Sequence, residues 1–286
     1  MSRTLVIIVT WNGMRWVDRC LGSVFASEVP ADAYVVDNAS SDGTADYIAE
    51  RYPDALLVRN PENLGFAEAN NMGFRYALEQ GYDYVYLLNQ DAWIAPGTLG
   101  TLITVLAAHP EFGILSPEQM TVDGVSYNPV FEREVIPSER LVDAGFGLCE
   151  VPFIMAAHWM LPVATLRRAG LFADLFPIYG NDDEYCNRVL YYGLKLGVVR
   201  GVKVIHDKQY SQQSLEQKVY RNYYMGSLVA LADVRKPLAR QMAYVVAHTL
   251  VKTVRYCSLR PFSYFWKIIG RHDMRAVKRL RKELRK

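Results

Sequence analysis

Four short apolar runs set the strongest limit on what this chain can fold into. They are Leu5 to Val9, Ala33 to Val36, Ala55 to Val58 and Tyr84 to Leu88. Segments of helical character separate them. Val17, Cys20, Leu21, Val24 and Phe25 recur at i, i+3, i+4, i+7 and i+8, the stripe of a helix facing a core. Asp42-Gly43 marks a turn before a short helix ending near Tyr52, Phe66 to Gln80 forms the next helix, and Leu99 to Ala108 follows Pro96-Gly97. Continuous apolar runs suit strands covered on both faces. The β-α-β-α rhythm therefore predicts an α/β fold, with a mainly parallel central sheet and helices on both faces.

Ligands of open α/β sheets bind at the carboxyl ends of the strands. Three polar clusters follow directly after apolar runs: Thr10-Trp11-Asn12, Asp37 through Gly43, and Asn89-Gln90-Asp91. The fold converges them on one edge, as a polar and acidic cleft.

The second half is less regular. Residues 118–150 hold the turn formers Asp123-Gly124, Asn128-Pro129 and Ile136-Pro137 and read as a long loop or hairpin region, a type of segment often functional. Val151 to Ala157 reads as a strand, Asp182 to Tyr192 as a helix and Val202 to Ile205 as a short strand. From Leu215 the chain reads as helical, broken at Arg235-Lys236-Pro237 and Arg260-Pro261. This divides it into a catalytic unit over 1–212, with halves of about 1–117 and 118–212, and a helical extension over 213–286.

With 286 residues and a net charge of +2, the chain can bury a sizeable core and does not bind nucleic acid through bulk charge. The near-balance is a cancellation. Lys267 to Lys286 holds nine Lys/Arg against two Asp/Glu, a local +7, which leaves −5 for the remainder. The four cysteines are scattered without a CxxC pair, so neither a disulfide framework nor a zinc site is expected. The run Leu5 to Val9 is too short for a signal peptide, and no uncharged apolar stretch is long enough to span a bilayer. A cytoplasmic protein is expected, peripheral on the inner face of the membrane.

Each candidate motif carries a plain reading beside a chemical one. Asp91 after an apolar strand suits a hard divalent cation, Mg²⁺ or Mn²⁺, which takes one or two protein carboxylates and fills its shell with water and phosphate oxygens; Asn and Asp are also ordinary strand-end turn residues. Asp37 or Asn38 can read the edge of a pyrimidine, while Asp42 suits a helix cap. Asn63-Leu64-Gly65-Phe66 with Asn70-Asn71-Met72-Gly73 is poor helix-forming sequence. Close approach to a ligand explains that composition, and so does a tight helix–sheet contact. Asp182, Asp183 and Glu184 sit at a helix start, where the dipole favours acids. Three acids exceed what a cap needs, and an uncompensated one has a raised pKa and suits a general base. Arg188 lies four residues from Glu184, so those two can pair. GxxxxGK[ST], GxGxxG and GxSxG motifs are all absent.

Taken together, these motifs resemble the inverting glycosyltransferases of family 2, with the GT-A fold, over roughly residues 4–211. Val9-Thr10-Trp11-Asn12 is similar to the family's opening strand motif, and Val36 through Thr44 to its base-binding motif. Asn63-Leu64-Gly65-Phe66-Ala67 with Asn70-Asn71 is similar to the segment after the third strand. Asn89-Gln90-Asp91 resembles the degenerate DxD metal motif, whose last Asp is the metal ligand. Asn181-Asp182 stands where the family has Glu-Asp, and His206 matches a His that contacts metal or diphosphate. The wording leans toward the rhamnosyltransferase-like branch of bacterial polysaccharide synthesis.

The resemblance implies a nucleoside-diphosphate sugar donor, dTDP-rhamnose or a UDP-sugar, bound by Thr10, Trp11, Asn12, Asp37, Asn38, Asn63, Gly65, Asn70, Asn71, Asn89 and Gln90. It implies a divalent cation on Asp91 and His206, and Asp182 as base, with Asp183 as an acceptor-binding residue and the alternative base. Phe153 to Leu161 resembles the acceptor-side strand, where His158 and Trp159 stand in place of small residues; the two stack on a sugar of the acceptor, or Trp159 belongs to the core. The acceptor implied is a glycan or lipid-linked hydroxyl. A sugar nucleotidyltransferase and a non-catalytic scaffold are the rival readings. In the tail, Phe262, Tyr264, Phe265 and Trp266 precede the basic run, a combination suited either to an anionic membrane surface or to a packed helix with solvated charges.

Overall fold

The computed structural model describes residues 2–208 and 214–285. The expected boundary between catalytic unit and helical extension, at 212/213, lies outside the described residues. The strands are β1 (Thr4–Thr10), β2 (Asp32–Asp37), β3 (Leu56–Arg59), β4 (Tyr84–Asn89), β5 (Ala92–Trp93), β6 (Phe112–Met120), β7 (Arg140–Asp143), β8 (Leu148–Val151), β9 (His158–Pro162) and β10 (Lys195–His206). They form one sheet in the order β3-β2-β1-β4-β9-β6-β10-β8-β7, with β5 pairing β10.

The strands β3, β2, β1 and β4 run parallel, as the apolar runs imply. Beyond them the sheet is mixed. β9 enters antiparallel between β4 and β6, and the β7–β8 hairpin closes the edge antiparallel to β10. Helices α1 (Val17–Phe25), α2 (Thr44–Arg51), α3 (Gly65–Glu79) and α4 (Thr98–Ala108) connect the first half. The two faces of the sheet carry separate cores. One packs α3 and the later helices against Leu5, Ile7, Val85 and Leu87. The other packs α1 and α4 against Val6, Ile8, Tyr86 and Leu88. Consecutive strand residues thus serve opposite cores.

Several expectations for the second half need correction. Residues 118–150 do carry a hairpin, β7–β8, but they also hold the end of β6, α5 (Pro129–Glu134) and a 3-10 turn. Asn128-Pro129 is a helix start, with Asn128 Oδ1 accepting from Val130 N at 3.0 Å and Pro129 in the first turn. The strand expected at Val151 to Ala157 lies later, at His158–Pro162. The short strand at Val202 to Ile205 is the end of a twelve-residue strand. Gly197 and Gly201 obscure it in the sequence, and the pairing shifts register between Val199 and Lys203.

α6 (Val163–Ala169) and α7 (Asn181–Tyr191) complete the sheet-bound helices. The C-terminal region is helical, as expected: α8 (Leu215–Val219), a π-helical turn (Tyr220–Met225), α9 (Gly226–Ala232), α10 (Leu238–Tyr256), α11 (Arg260–Ile269) and α12 (Arg271–Glu283). They build a third core around Tyr223, Leu228, Leu231, Val245, Ile268 and Val277. The tail aromatics expected at a membrane mostly face this core: Tyr264 and Phe265 pack on it, whereas Trp266 is exposed. All four cysteines are free. Among the described residues, no helix is long and apolar enough to cross a membrane.

Candidate active site

The three strand-end clusters do converge, and side chains bolt them together. Gln90 Oε1 accepts from Thr10 Oγ1 at 2.9 Å and from Trp11 N at 2.8 Å, and its Nε2 donates to Trp11 O. Asn12 N donates to Ser40 Oγ, and Asn12 Oδ1 accepts from Ser41 N at 2.8 Å. Asp42 accepts from Met14 N and Thr44 N, so it both caps α2 and pins the β1 loop. Asn12 and Ala39 hold left-handed backbone conformations, φ 49° and 61°, a strain that persists only where surroundings enforce it. Gln90 and Asn12 therefore shape the donor edge through intramolecular bonds, while Trp11, 53% exposed, stands free at the rim.

Asp37 is the strongest candidate for reading a base. It is buried, its Oδ2 accepts from Ser40 N at 3.0 Å, and its Oδ1 has no partner. A buried, unpartnered carboxylate oxygen is costly unless something donates to it. Asn38 differs: its amide donates to Gly65 O, and its Oδ1 accepts from Asn60 Nδ2 at 2.9 Å. Its side chain is committed to the fold.

The poor helix composition near Asn63 resolves mostly into packing. Asn63 Oδ1 receives Gly65 N. Gly65, at φ +79°, lies where a Cβ would come within 2.9 Å of Pro177 O, and Gly73 where one would collide with Ile7. Asn70 bonds back to Phe66 O within α3. Asn71 is buried and spans to Phe172, donating to its O at 3.0 Å and accepting from its N at 2.9 Å. Asn70 and Asn71 are thus corrected from donor contacts to structural residues. Asn71 ties α3 to the segment that leads into α7.

The acid at the end of β4 has a built partner. β5 pairs antiparallel with β10 and sets Ala92 opposite His206. That register leaves Asp91 Oδ1 3.6 Å from His206 Nε2. Asp207 N donates to Asp91 O at 2.7 Å, and Trp16 Nε1 donates to Asp207 Oδ2, so the β1 loop, the β4 end and the β10 end meet here. Burial pushes the Asp91 carboxyl up to about 6. Burial, with the His158 ring and the Lys208 charge, pushes His206 well down, so it is neutral. The His206 Nδ1 is buried without a partner. A carboxylate oxygen and a neutral imidazole nitrogen 3.6 Å apart fit a divalent cation of the Mn²⁺ or Mg²⁺ type. Among the described residues no cluster of three or more His, Cys, Asp or Glu could hold one. The rest of its shell would have to come from ligand and water. Asn89, partly exposed at the end of β4, adds an uncharged neighbour.

His158 and Trp159 belong to the core. Both have 0% exposure. His158 Nδ1 accepts from Tyr86 Oη at 2.8 Å and its Nε2 donates to Ile205 O at 3.0 Å, which fixes a neutral tautomer; burial lowers its pKa to about 4. Trp159 packs among Phe172 and Tyr185, with ring centroids 6.1 and 5.9 Å away. No face of either ring is open to a sugar, so their acceptor role is corrected. The displaced strand explains the misreading: β9 is covered on both sides, like β1 and β4.

α7 presents the acidic cluster. Gly180, in a left-handed conformation, starts the helix. Glu184 and Arg188 form a buried ion pair, as their spacing predicts; Arg188 Nε donates to Glu184 Oε1 at 3.0 Å, and Nη1 donates to the carbonyls of Ala169 and Leu171. That leaves Asp182 and Asp183 without a cationic partner in contact. Burial raises the Asp182 pKa. Asp183 lies at the surface but amid crowded protein; that crowding, with the Asp182 charge beside it, pushes its carboxyl up to about 7.

Two cations complete the site that sequence reasoning overlooked. Lys208, partly buried two residues after His206, feels the charges of both Asp91 and Asp182. Burial, followed by the nearby Arg221 charge, lowers its pKa. Arg221 sits in the π-helical turn, its guanidinium 5.3 Å from the Tyr179 ring centroid; such turns often occur at functional sites. The sequence signal for Lys208 was its place just past an apolar strand; Arg221 had none. A cavity of about 850 Å³ lies elsewhere, between the α6–α7 connection and the C-terminal helices, and no candidate residue lines it.

Residues 5–141 match the profile of Glycosyl transferase family 2. A search of curated proteins gave no match. The fold is similar to that of S. aureus TarS 1-349 in complex with UDP-GlcNAc, at a TM-score of 0.61 and 15% identity over 99% of this chain and 80% of that one. It is also similar to the mannosyltransferase PcManGT from Pyrobaculum calidifontis in complex with GDP-Man and Mn²⁺, at 0.62 and 18% over 99% and 84%. A third similar structure is GalNAc-T7 with UDP, GalNAc and Mn²⁺, at 0.58 and 16% over 83% and 52%. The profile match covers residues 5–141, and these neighbours share the GT-A architecture of the whole sheet, so the chain is similar to glycosyl transferase family 2.

Proposed function

We propose that residues 1–212 transfer a sugar, with inversion, from a nucleoside diphosphate sugar to a hydroxyl of a glycan or lipid-linked acceptor. The donor is dTDP-rhamnose or a UDP-sugar, and the setting is bacterial polysaccharide synthesis. The observation that carries the reading is the meeting of Asp91, after β4, with His206 and Asp207 at the end of β10, where Trp16 of the β1 loop also bonds. A carboxylate suited to metal thus stands where the strand ends converge, and Asp182 supplies the carboxylate suited to proton removal. The nucleotide sugars bound by TarS and PcManGT support the donor class, and the Mn²⁺ in PcManGT and GalNAc-T7 supports the cation.

In this mechanism Asp37 accepts a hydrogen bond from the base through its unpartnered Oδ1, with Trp11 covering the base from the rim. Asp91 and His206 hold Mg²⁺ or Mn²⁺, which when bound offsets charge developing on the departing diphosphate. Lys208 and Arg221 add fixed positive charge on the same side. Asp182 removes the proton from the acceptor hydroxyl, which attacks the anomeric carbon from the opposite face. Asp183 lies beside Asp182 at the surface, and its partial charge near neutral pH opposes the ionisation of its neighbour.

The test is incubation with a panel of nucleotide sugars, Mn²⁺ and glycan acceptors. Release of nucleoside diphosphate and an inverted anomeric signal by NMR are expected. Pyrophosphate release from a nucleoside triphosphate and a sugar phosphate would establish the nucleotidyltransferase instead, and no turnover of any nucleotide sugar would leave the scaffold.

A further inference from the structure

Helix α10 is apolar on its outward face and mixed on its inward one, where Leu238, Met242 and Tyr256 pack on the third core beside Val245. The residues it buries are Gln241, Val245 and Thr249. Two of those three are polar, and Thr249 meets the Tyr223 hydroxyl at 2.6 Å. On the opposite side, about 170° away at 100° per residue, runs an apolar stripe of Ala243, Val246, Ala247, Leu250, Val251 and Val254, with Arg240 on the same arc in the first turn. Val246, Leu250, Val251 and Val254 are 46%, 56%, 61% and 77% exposed. Leu259, just past the helix, and Trp266 on α11 are 75% and 67% exposed. A helix facing water places its polar residues outward. An exposed contiguous apolar surface of this kind marks an interaction site.

The charge around the stripe selects the partner. From Val234 to His272 the chain contains no Asp or Glu and eight Lys/Arg. Arg235 and Lys236 pair with Asp233 and Arg260 with Glu216, which still leaves an excess of cations; apolar side chains beside such an excess match a bilayer interface rich in anionic lipid, where the apolar face enters the acyl boundary and the cations meet headgroups. A second copy of this helix would bring like charges together.

We propose that the outward face of α10, with Leu259 and Trp266, is a docking surface for an anionic membrane, entered side-on and without spanning. It is distinct from the basic run of α12, which supplies charge but mostly buries its apolar residues. α11 is tied to α8 and to the segment before α7. Arg260, at the start of α11, pairs with Glu216 of α8 at 2.9 Å, and rings link Tyr264 through Tyr220 to Tyr179 before α7. The proposal rests on this surface alone and not on sugar transfer; its test contains no donor or acceptor, so the two readings fail separately.

The experiment is co-sedimentation of the full chain with vesicles of equal parts phosphatidylcholine and phosphatidylglycerol, and with phosphatidylcholine alone. Binding to the anionic vesicles is expected. Leu250→Asp with Val254→Asp should weaken it about tenfold or more, because apolar insertion carries the binding. Both positions are exposed, so the circular dichroism spectrum should not change. A measurement on the otherwise native chain guards against misfolding. Cys257, at the C-terminal cap of α10, is exposed while the other three cysteines are buried. A polarity-sensitive dye on Cys257 should shift to the blue with anionic vesicles. Absence of wild-type binding, no dye shift, or equal binding by the double variant would each overturn the proposal. So would a dimer that the double variant splits while vesicles go unbound, which would assign the stripe to a second copy.

Discussion

The Glu184–Arg188 pair allows a prediction whose size and order follow from the geometry. Both side chains are almost fully buried, at 3% and 4% exposure. Arg188 directs N–H groups at four acceptors: the two Glu184 carboxylate oxygens and the carbonyls of Ala169 and Leu171. Glu184→Ala removes the two charge-assisted bonds and leaves a buried guanidinium with two carbonyls. At about 1.5–3 kcal/mol per bond to a charged group, the loss is about 3–6 kcal/mol, close to the 3–5 kcal/mol typical of a broken buried pair. Arg188→Met should cost more, because it strands the Glu184 carboxylate and both carbonyls together. Glu184→Gln keeps the shape and part of the hydrogen bonding and should cost least. Urea unfolding followed by tryptophan fluorescence measures all three. Thermal scans should show drops of roughly 6–20 °C for Glu184→Ala, at about 2–4 °C per kcal/mol for a chain of this size. If Arg188→Met proved milder than Glu184→Ala, or if all three cost under about 1 kcal/mol, the pair would not be what anchors α7.

Three further outcomes follow from the site. Asp182→Asn should lower kcat by about 10²–10⁴-fold with donor binding by calorimetry unchanged; a wild-type rate would remove Asp182 as base. A base must be deprotonated to act, so the raised Asp182 carboxyl moves the acid limb of the pH–rate profile above the range of an ordinary carboxylate. Asp183→Asn deletes the neighbouring charge and should move that limb to lower pH, and a limb that did not move would deny the coupling. Asp91→Ala should abolish Mn²⁺-dependent nucleotide binding, with undiminished calorimetric heats counting against Asp91 as ligand. Asn71→Ala should destabilise the chain by about 2 kcal/mol or more, since it strands two buried backbone groups at Phe172, while the donor dissociation constant stays within about twofold of wild type on the measured scale of binding energies.

The parallel half of the sheet was legible because each strand there is a continuous apolar run bounded by turn residues. The mixed half was not. In β10, Gly197 and Gly201 break the pattern, and in β6 the buried Glu118 and Gln119 sit where a strand core is expected to be apolar. His158 and Trp159 were read as polar and amphipathic residues near a site, but strand pairing buried them; spacing alone carries no information about what covers a strand. The acids of the cleft were legible because a carboxylate after an apolar run has few bland explanations. Their cations were not. Lys208 and Arg221 gain significance only when β10 and the π-helical turn bring them opposite Asp91 and Asp182. Asn71 shows the opposite failure, since an amide that bridges two backbone groups looks in sequence like one reserved for a ligand.

The row formed by Tyr86, His158 and His206 has an electrical consequence. Behind Asp91, the wall of the cleft is a tyrosine and two imidazoles held neutral, packed between β4, β9 and β10. It offers neither countercharge nor bulk water to screen a cation resting in front of it. Such a backing acts as a one-sided insulator. The field of a cation held by Asp91 and His206 would be directed outward into the cleft and dispersed little into the protein. A charged residue introduced at His158 would therefore alter the potential felt by a diphosphate it never touches.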